Sequence, residues 1–315
     1  MSEQHFPSQN LQYHDDEIDL KELFLALWKG KWIIILFTVL FAIGGVFYAL
    51  SQPNTYKAEA ILASASGGQS GGLAAMASQF GGLASLAGIS LGGGGGTDDK
   101  AMALAVLQSR QFINAFIKKY DLLVPLMAGE KWNEGQDELI LNSEMYDPST
   151  GKWVREVDPG KSPEPTDWDA YKKFKTIISI NEAKETGLTT LSITHLSPTI
   201  AKQWVDWLVV DLNAWVKTKS LDDTRRNISY LEEQIGNTNI ADMQSVFYQL
   251  IEEQTKNLML AEVQDEFAFK IIDPAVVPEE KVGPKRALIC VLAVLLGGML
   301  GVAIVLIHFV FAKKE

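Results

Sequence analysis

The sequence is poor in the residues that most often carry chemistry. It has one cysteine, Cys290, so no intramolecular disulfide forms and a cysteine-based zinc site is excluded. Its four histidines, His5, His14, His195 and His308, fall at no metal-ligand spacing, and no HExxH occurs. Basic residues are the minority, 28 against 39 acidic, for a net charge of -11. That balance argues against a nucleic-acid partner, which would need a basic face to displace counterions. Charge is missing altogether from two long stretches, residues 32–50 (WIIILFTVLFAIGGVFYAL) and 287–311 (ALICVLAVLLGGMLGVAIVLIHFVF).

Those two stretches organise the chain. A helix needs ~20 apolar residues to cross a hydrocarbon core, and each run reaches that length with no polar stripe for a soluble neighbour. The expected layout is an N-terminal tail at 1–31, a first span at 32–50, a large domain at 51–286, a second span at 287–311 and a short tail at 312–315. Lys21, Lys29 and Lys31 precede the first run, and Lys313 and Lys314 follow the second. These basic flanks place both termini in the cytoplasm and the domain between the spans in the periplasm of a bacterium with two membranes. Lys285 and Arg286 oppose this, but long translocated regions obey the charge rule poorly. Ala58-Glu59-Ala60 has the form of a signal-peptidase site. The acidic preceding tail (Asp15, Asp16, Glu17, Asp19) and the length of the apolar run favour an uncleaved anchor.

Between the spans the pattern is α+β. Residues 55–63 alternate as a strand. Residues 64–97 are glycine-rich and low in complexity, yet apolar enough over 78–91 to favour packed short helices over a solvated linker. Asp98 or Asp99 is placed to cap a helix running through Ile117, and residues 130–166 read as an irregular excursion rich in turn formers. A short helix is expected over 168–175. Next comes a hairpin around Glu185-Thr186-Gly187, with Ile178, Ile180, Leu191 and Ile193 facing the core. Ser197-Pro198 is a helix start, and Ile200, Trp204, Trp207, Leu208, Asp211, Leu212 and Trp215 keep helical steps to about residue 235. Gly236-Asn237 breaks the pattern, and a second helix runs from Asn239 to about Val263. Residues 197–264 are thus a long helical hairpin, closed by a strand over 266–273.

No catalytic constellation emerges. Gly68-Gln69-Ser70-Gly71-Gly72 matches GxSxG without the strand–elbow–helix context that exposes a nucleophile, and Gly92 to Gly96 lacks the Lys and Ser/Thr of a phosphate loop. Glu232, Glu233, Glu252 and Glu253 read as solvated helix faces. His308 lies close enough to a span end to reach the interface. Gly297 and Gly301 form a GxxxG pair, and Gly45 with Ala49 its small-xxx-small counterpart. Both suit helix contacts in lipid. Trp204, Trp207 and Trp215 either stack on sugars or pack within the helix pair or between protomers.

Several stretches resemble one family. IDLKELFLALWKGKWII (18–34), SQPNTYKAEAIL (51–62), LSITHLSPTIAKQWVDWLV (191–209) and FKIIDPAVVPEEKVGPKRALI (269–289) are similar to segments of the Wzz-type chain-length determinants, or polysaccharide co-polymerases. The most specific of these is the exit motif, where Pro274, Pro278 and Pro284 lead into the second run. The resemblance implies a homo-oligomer in the bacterial inner membrane, without cofactor or catalytic activity. Such a protein regulates the length of a lipid-linked glycan, commonly O-antigen, made by a Wzy-type polymerase. Because the sequence stops at Glu315, the resemblance implies the O-antigen or enterobacterial-antigen type over relatives bearing a cytoplasmic tyrosine kinase. The residues alone also fit a two-span periplasmic sensor or a polysaccharide-export adaptor.

Overall fold

A computed structural model describes residues 25, 27–65 and 95–312. Most of the glycine-rich stretch, the Gly68 to Gly72 pattern, His5, His14, Lys21, Lys313 and Lys314 lie outside them. The chain divides into two compact units, one of Met1–Gln52 with Pro284–Glu315 and one of Pro53–Gly283.

The first unit is a pair of helices, α1 (Lys31–Ser51) and α8 (Arg286–Ala312), packed side by side. Both are long and apolar enough to cross a membrane. Outside their shared seam the large side chains, such as Leu36, Leu40, Phe47, Leu292, Leu296 and Met299, are exposed. An apolar surface all round a helix is stable in lipid and unstable in water.

The second unit is built on an antiparallel sheet in the order β6-β7-β1-β8, from β1 (Thr55–Ser64), β6 (Ile178–Glu182), β7 (Thr189–His195) and β8 (Phe269–Asp273). The short β9 (Lys281–Gly283) pairs with the start of β1. The β6–β7 turn puts Gly187 at φ +68, which glycine adopts without penalty. Along β1, Ala58, Ala60 and Leu62 are buried at alternate positions. The small side chains of Ala58 and Ala60 let the long helix α6 (Pro198–Asn237) lie close over β1 and β7. Leu191 and Ile193 are fully buried, and Ile178 and Ile180 pack partly buried against the same core.

The expected single helix to Ile117 is two helices. α2 (Gly95–Gln108) ends where Ser109 turns extended, and the Ser109 hydroxyl accepts from the Phe112 N–H to cap α3 (Arg110–Lys119). α3 then buries Phe112, Ile113, Phe116 and Ile117. α4 (Leu123–Met127) follows, and the excursion over 130–166 holds two small ladders, β2 (Gly129–Asn133) with β3 (Glu138–Leu141) and β4 (Tyr146–Asp147) with β5 (Lys152–Trp153). α5 (Asp167–Ile177) opens with a reciprocal cap between Thr166 and Asp169.

The helical hairpin is α6 and α7 (Ala241–Val263). Forty residues at ~1.5 Å each make α6 about 60 Å long. Its first half is core: Ala201, Trp204, Val205, Leu208, Leu212 and Val216 are buried. Beyond Val216 the buried residues of the pair are Leu231 and Phe247, so the distal hairpin is far less buried than the first half of α6. Lys217 Nζ donates to the carbonyls of Glu262 and Gln264 at 2.9 and 2.8 Å, meeting acceptors that the end of α7 leaves open.

His195 joins β7 to this frame. Its Nδ1 accepts from the Ser197 N–H at 3.1 Å, and its Nε2 donates to Pro125 O at 3.3 Å. Burial lowers its pKa to about 4 from the ordinary 6.5. The neutral ring is therefore the folded form, whereas the unfolded chain takes up a proton below about 6.5. Stability present above pH 6.5 is lost as pH falls towards 4, by about 3 kcal/mol in the limit. Urea unfolding of the detergent-solubilised chain should report that fall, and His195→Gln should flatten it.

Candidate functional site

The two spans meet along a line of small residues. A Cβ placed on Gly301 would lie 2.8 Å from the Cα of Ile34, and one on Gly297 would lie 2.9 Å from the carbonyl oxygen of Phe37 and 3.1 Å from the Cα of Thr38. Real Cβ atoms do not approach backbone so closely, so the backbones touch only because these positions are glycine. A Cβ on Gly45 would collide with that of Ala293, and one on Gly30 would meet Val305 at 2.5 Å. Ala49 is buried, and its carbonyl accepts from Arg286 Nε at 3.1 Å. That bond brings a cation to the C-terminal end of α1, where the dipole favours it. Gly45, Gly297 and Gly301 thus face the other helix of the pair, and Ala49 is buried. Cys290 is half-buried and His308 is exposed on α8.

The prolines mark the exit from the sheet. Pro274 is exposed directly after β8, Pro278 is half-buried in the extended link to β9, and Pro284 sits between β9 and α8. Lacking an N–H, Pro274 and Pro284 each close off the strand that they follow. The Arg286 N–H bonds back to Pro284 O at 2.9 Å as α8 begins.

The three tryptophans of α6 differ in depth. Trp204 is 1 % exposed, with its indole between Phe174 (centroids 6.1 Å apart) and His195 (5.0 Å). A glycan or protomer contact through Trp204 is therefore ruled out, because the core encloses the ring. Trp207 is partly buried and stacks flat on Tyr120 at 4.2 Å and 5°. Trp215 is partly buried and meets Phe112 edge-on at 5.7 Å and 89°.

Two polar residues of α6 have roles that the sequence reading did not assign. Asn213 is buried. Its Oδ1 accepts from the N–H groups of Ala268 and Phe269 at 2.8 and 2.9 Å, and its Nδ2 donates to Phe269 O at 3.0 Å. Asp211 is 9 % exposed and accepts at Oδ1 from Lys119 Nζ (2.6 Å) and Tyr120 OH (3.1 Å). That bond to Asp211 raises the Lys119 pKa above its ordinary value. Asp211 was visible as the one acid on the apolar stripe, an anomaly that its pairing with the exposed Lys119 explains. Among the described residues no cluster of three or more His, Cys, Asp or Glu could hold a metal ion.

Two family models match the chain. Residues 16–120 match Wzz, the chain length determinant protein, and residues 232–309 match GNVR, a G-rich domain described on candidate tyrosine kinases. The chain carries a Wzz chain length determinant domain over residues 16–120. The Wzz match takes in α1, β1, α2 and α3, and the GNVR match takes in α7, β8, the prolines and most of α8. No curated protein matches the chain. Among solved structures, a full-length bacterial polysaccharide co-polymerase is similar at 16 % identity, over 94 % of this chain and 99 % of that one, with a TM-score of 0.38. A fragment of WzzB, a polysaccharide co-polymerase from Salmonella Typhimurium, is similar at 10 % identity, over 73 % of this chain and all of the fragment, with a TM-score of 0.31.

Proposed function

We propose that this protein regulates the chain length of a lipid-linked surface polysaccharide, O-antigen or a close counterpart, as a non-enzymatic co-polymerase. It works as a homo-oligomer in the bacterial inner membrane beside a Wzy-type polymerase. The observation that carries this reading is the Wzz match over residues 16–120. Both termini are cytoplasmic and the Pro53–Gly283 unit is periplasmic, as Lys29 and Lys31 beside α1 favour. The domains run from 1–31, 32–50, 51–286 and 287–311 to 312–315, with the hairpin at 197–264 as the part that reaches furthest from the core.

A protein of this kind acts on polymer length by binding, templating or gating another enzyme. The side chains agree with such a role. His195 is held neutral and spent on two backbone bonds, which leaves it poorly placed to move protons. Gly45, Ala49, Gly297 and Gly301 keep the two anchors of a protomer in one fixed pair, and Trp207 and Trp215 remain as contacts for glycan or a neighbouring protomer. Repetition of one such contact by symmetry closes a ring.

The test is the glycan ladder from cells with and without the gene. Deletion should leave polymer present but spread its lengths, removing the modal band. An unchanged ladder would overturn the proposal.

A further inference from the structure

Between α3 and α6 lies an open cavity of about 440 Å³, a size usual for small-molecule sites. Phe112, Phe116 and Trp215 give it aromatic walls. Lys119, Asp211 and Asp222 supply its charges. We propose that this cavity is a subsite for one neutral pyranose unit of the glycan. The proposal deepens the chain-length reading and rests on it for the identity of the polymer.

A pyranose has apolar C–H faces and a hydroxyl-bearing edge, so its site needs a flat aromatic wall and an acceptor fixed beside it. Trp215 supplies the wall, and its edge-on packing against Phe112 holds the indole in place. Asp211 supplies the acceptor. Lys119 and Tyr120 hold its Oδ1, and Tyr120 is itself clamped by the flat stack on Trp207. Oδ2 accepts no hydrogen bond from any described residue. The sealed, partnerless side-chain atoms among those residues are Asn114 Oδ1 and Thr189 Oγ1, so Asp211 Oδ2 keeps some exposed surface, on a residue that lines the cavity. A carboxylate on a side chain about nine-tenths buried, pinned on one oxygen and free on the other, is a costly group to keep beside apolar walls. It is also a strong acceptor for a ligand hydroxyl.

The charges select a neutral sugar. Lys119 is spent on Asp211, and Lys219 at the cavity edge pairs with Asp223 at 3.3 Å. Asp222 is likewise paired, with Arg225 at 3.9 Å, so an acidic sugar would set a second carboxylate beside Asp211 Oδ2 with no unpaired ammonium to receive it.

The test is saturation-transfer NMR on the full chain, solubilised in a detergent without a sugar headgroup. The probes are methyl glucoside, methyl galactoside, methyl N-acetylglucosaminide and glucuronate. Transfer should reach at least one neutral glycoside and not glucuronate. It should fall at least tenfold in Asp211→Asn, which keeps the side-chain shape, and in Trp215→Leu, and survive in Trp168→Leu, which removes an exposed indole on α5. Three results would overturn the subsite: no transfer to any neutral glycoside, equal transfer in the two cavity variants, or a changed assembly mass in those variants with no sugar signal. The last would mark the cavity as a protomer contact. The two readings fail separately: a spread ladder on gene deletion without sugar transfer removes the subsite alone, whereas transfer with an unchanged ladder removes the length reading alone.

Discussion

Asn213→Leu should destabilise the Pro53–Gly283 unit by roughly 3–9 kcal/mol. The Asn213 amide acts as a strand neighbour would: it accepts two N–H groups and donates to one carbonyl of the segment entering β8. Ala268 and Phe269 are themselves 0 % and 1 % exposed, so water cannot replace the lost partner. Leucine is close in volume, and the loss therefore comes from the backbone groups left buried without bonds, at about 1–3 kcal/mol each. Against a total stability of about 5–15 kcal/mol that is a large share. Urea unfolding of the solubilised chain checks the magnitude. Asn213→Asp separates the bonds from packing. It keeps both acceptors but sets a carboxylate against Phe269 O, so its stability should rise as pH falls and the protonated acid becomes a donor. A flat pH response in Asn213→Asp would show that packing governs the site. The consequence reaches function through connectivity, because β8 leads by way of Pro274 and Pro278 to β9 and the second span.

Asn213 also shows where sequence reading runs out. The stripe from Trp204 to Trp215 fixes a helix and its inward face but not the depth of each residue, which depends on what lies opposite. Small residues on β1, Ala58 and Ala60, let α6 settle close enough to enclose Trp204, whereas Trp207 and Trp215 lie towards α3 and keep part of their surface. Strong local signals were legible: Ser197-Pro198 opens α6, and Gly187 turns the β6–β7 hairpin. The break at Ser109 was not, since Leu107, Phe112, Ile113 and Phe116 keep an apolar pattern across it and only the cap chemistry marks the restart. The two-residue ladders β4 and β5 and the three-residue β9 are too short for alternation to register, and the backbone pairing that makes them is non-local. For the spans, composition named the small residues but not their partners. Gly297 faces Phe37, Thr38 and Phe41, and Gly301 faces Ile34.

That pairing leads to a second large effect. With Cys290→Ala removing the native thiol, Thr38→Cys and Gly298→Cys should form a disulfide on oxidation, since a Cβ on Gly298 lies 3.7 Å from Thr38 Oγ1. Adding Gly297→Leu and Gly301→Leu should cut the cross-linked fraction at least tenfold. Each leucine would start from a Cβ under 3 Å from atoms of α1, and backbone contacts such as Ile34 Cα and Phe37 O cannot rotate away as a side chain can. In lipid no apolar driving force opposes separation, because the tails solvate leucine as well as the partner helix does, so close packing is most of what holds the pair. Undiminished cross-linking in the leucine variant would mean that the two anchors are held by something other than their glycine seam. If the seam holds them, the same variant should also spread the glycan ladder, because a protomer with separated anchors cannot repeat one contact around a closed ring.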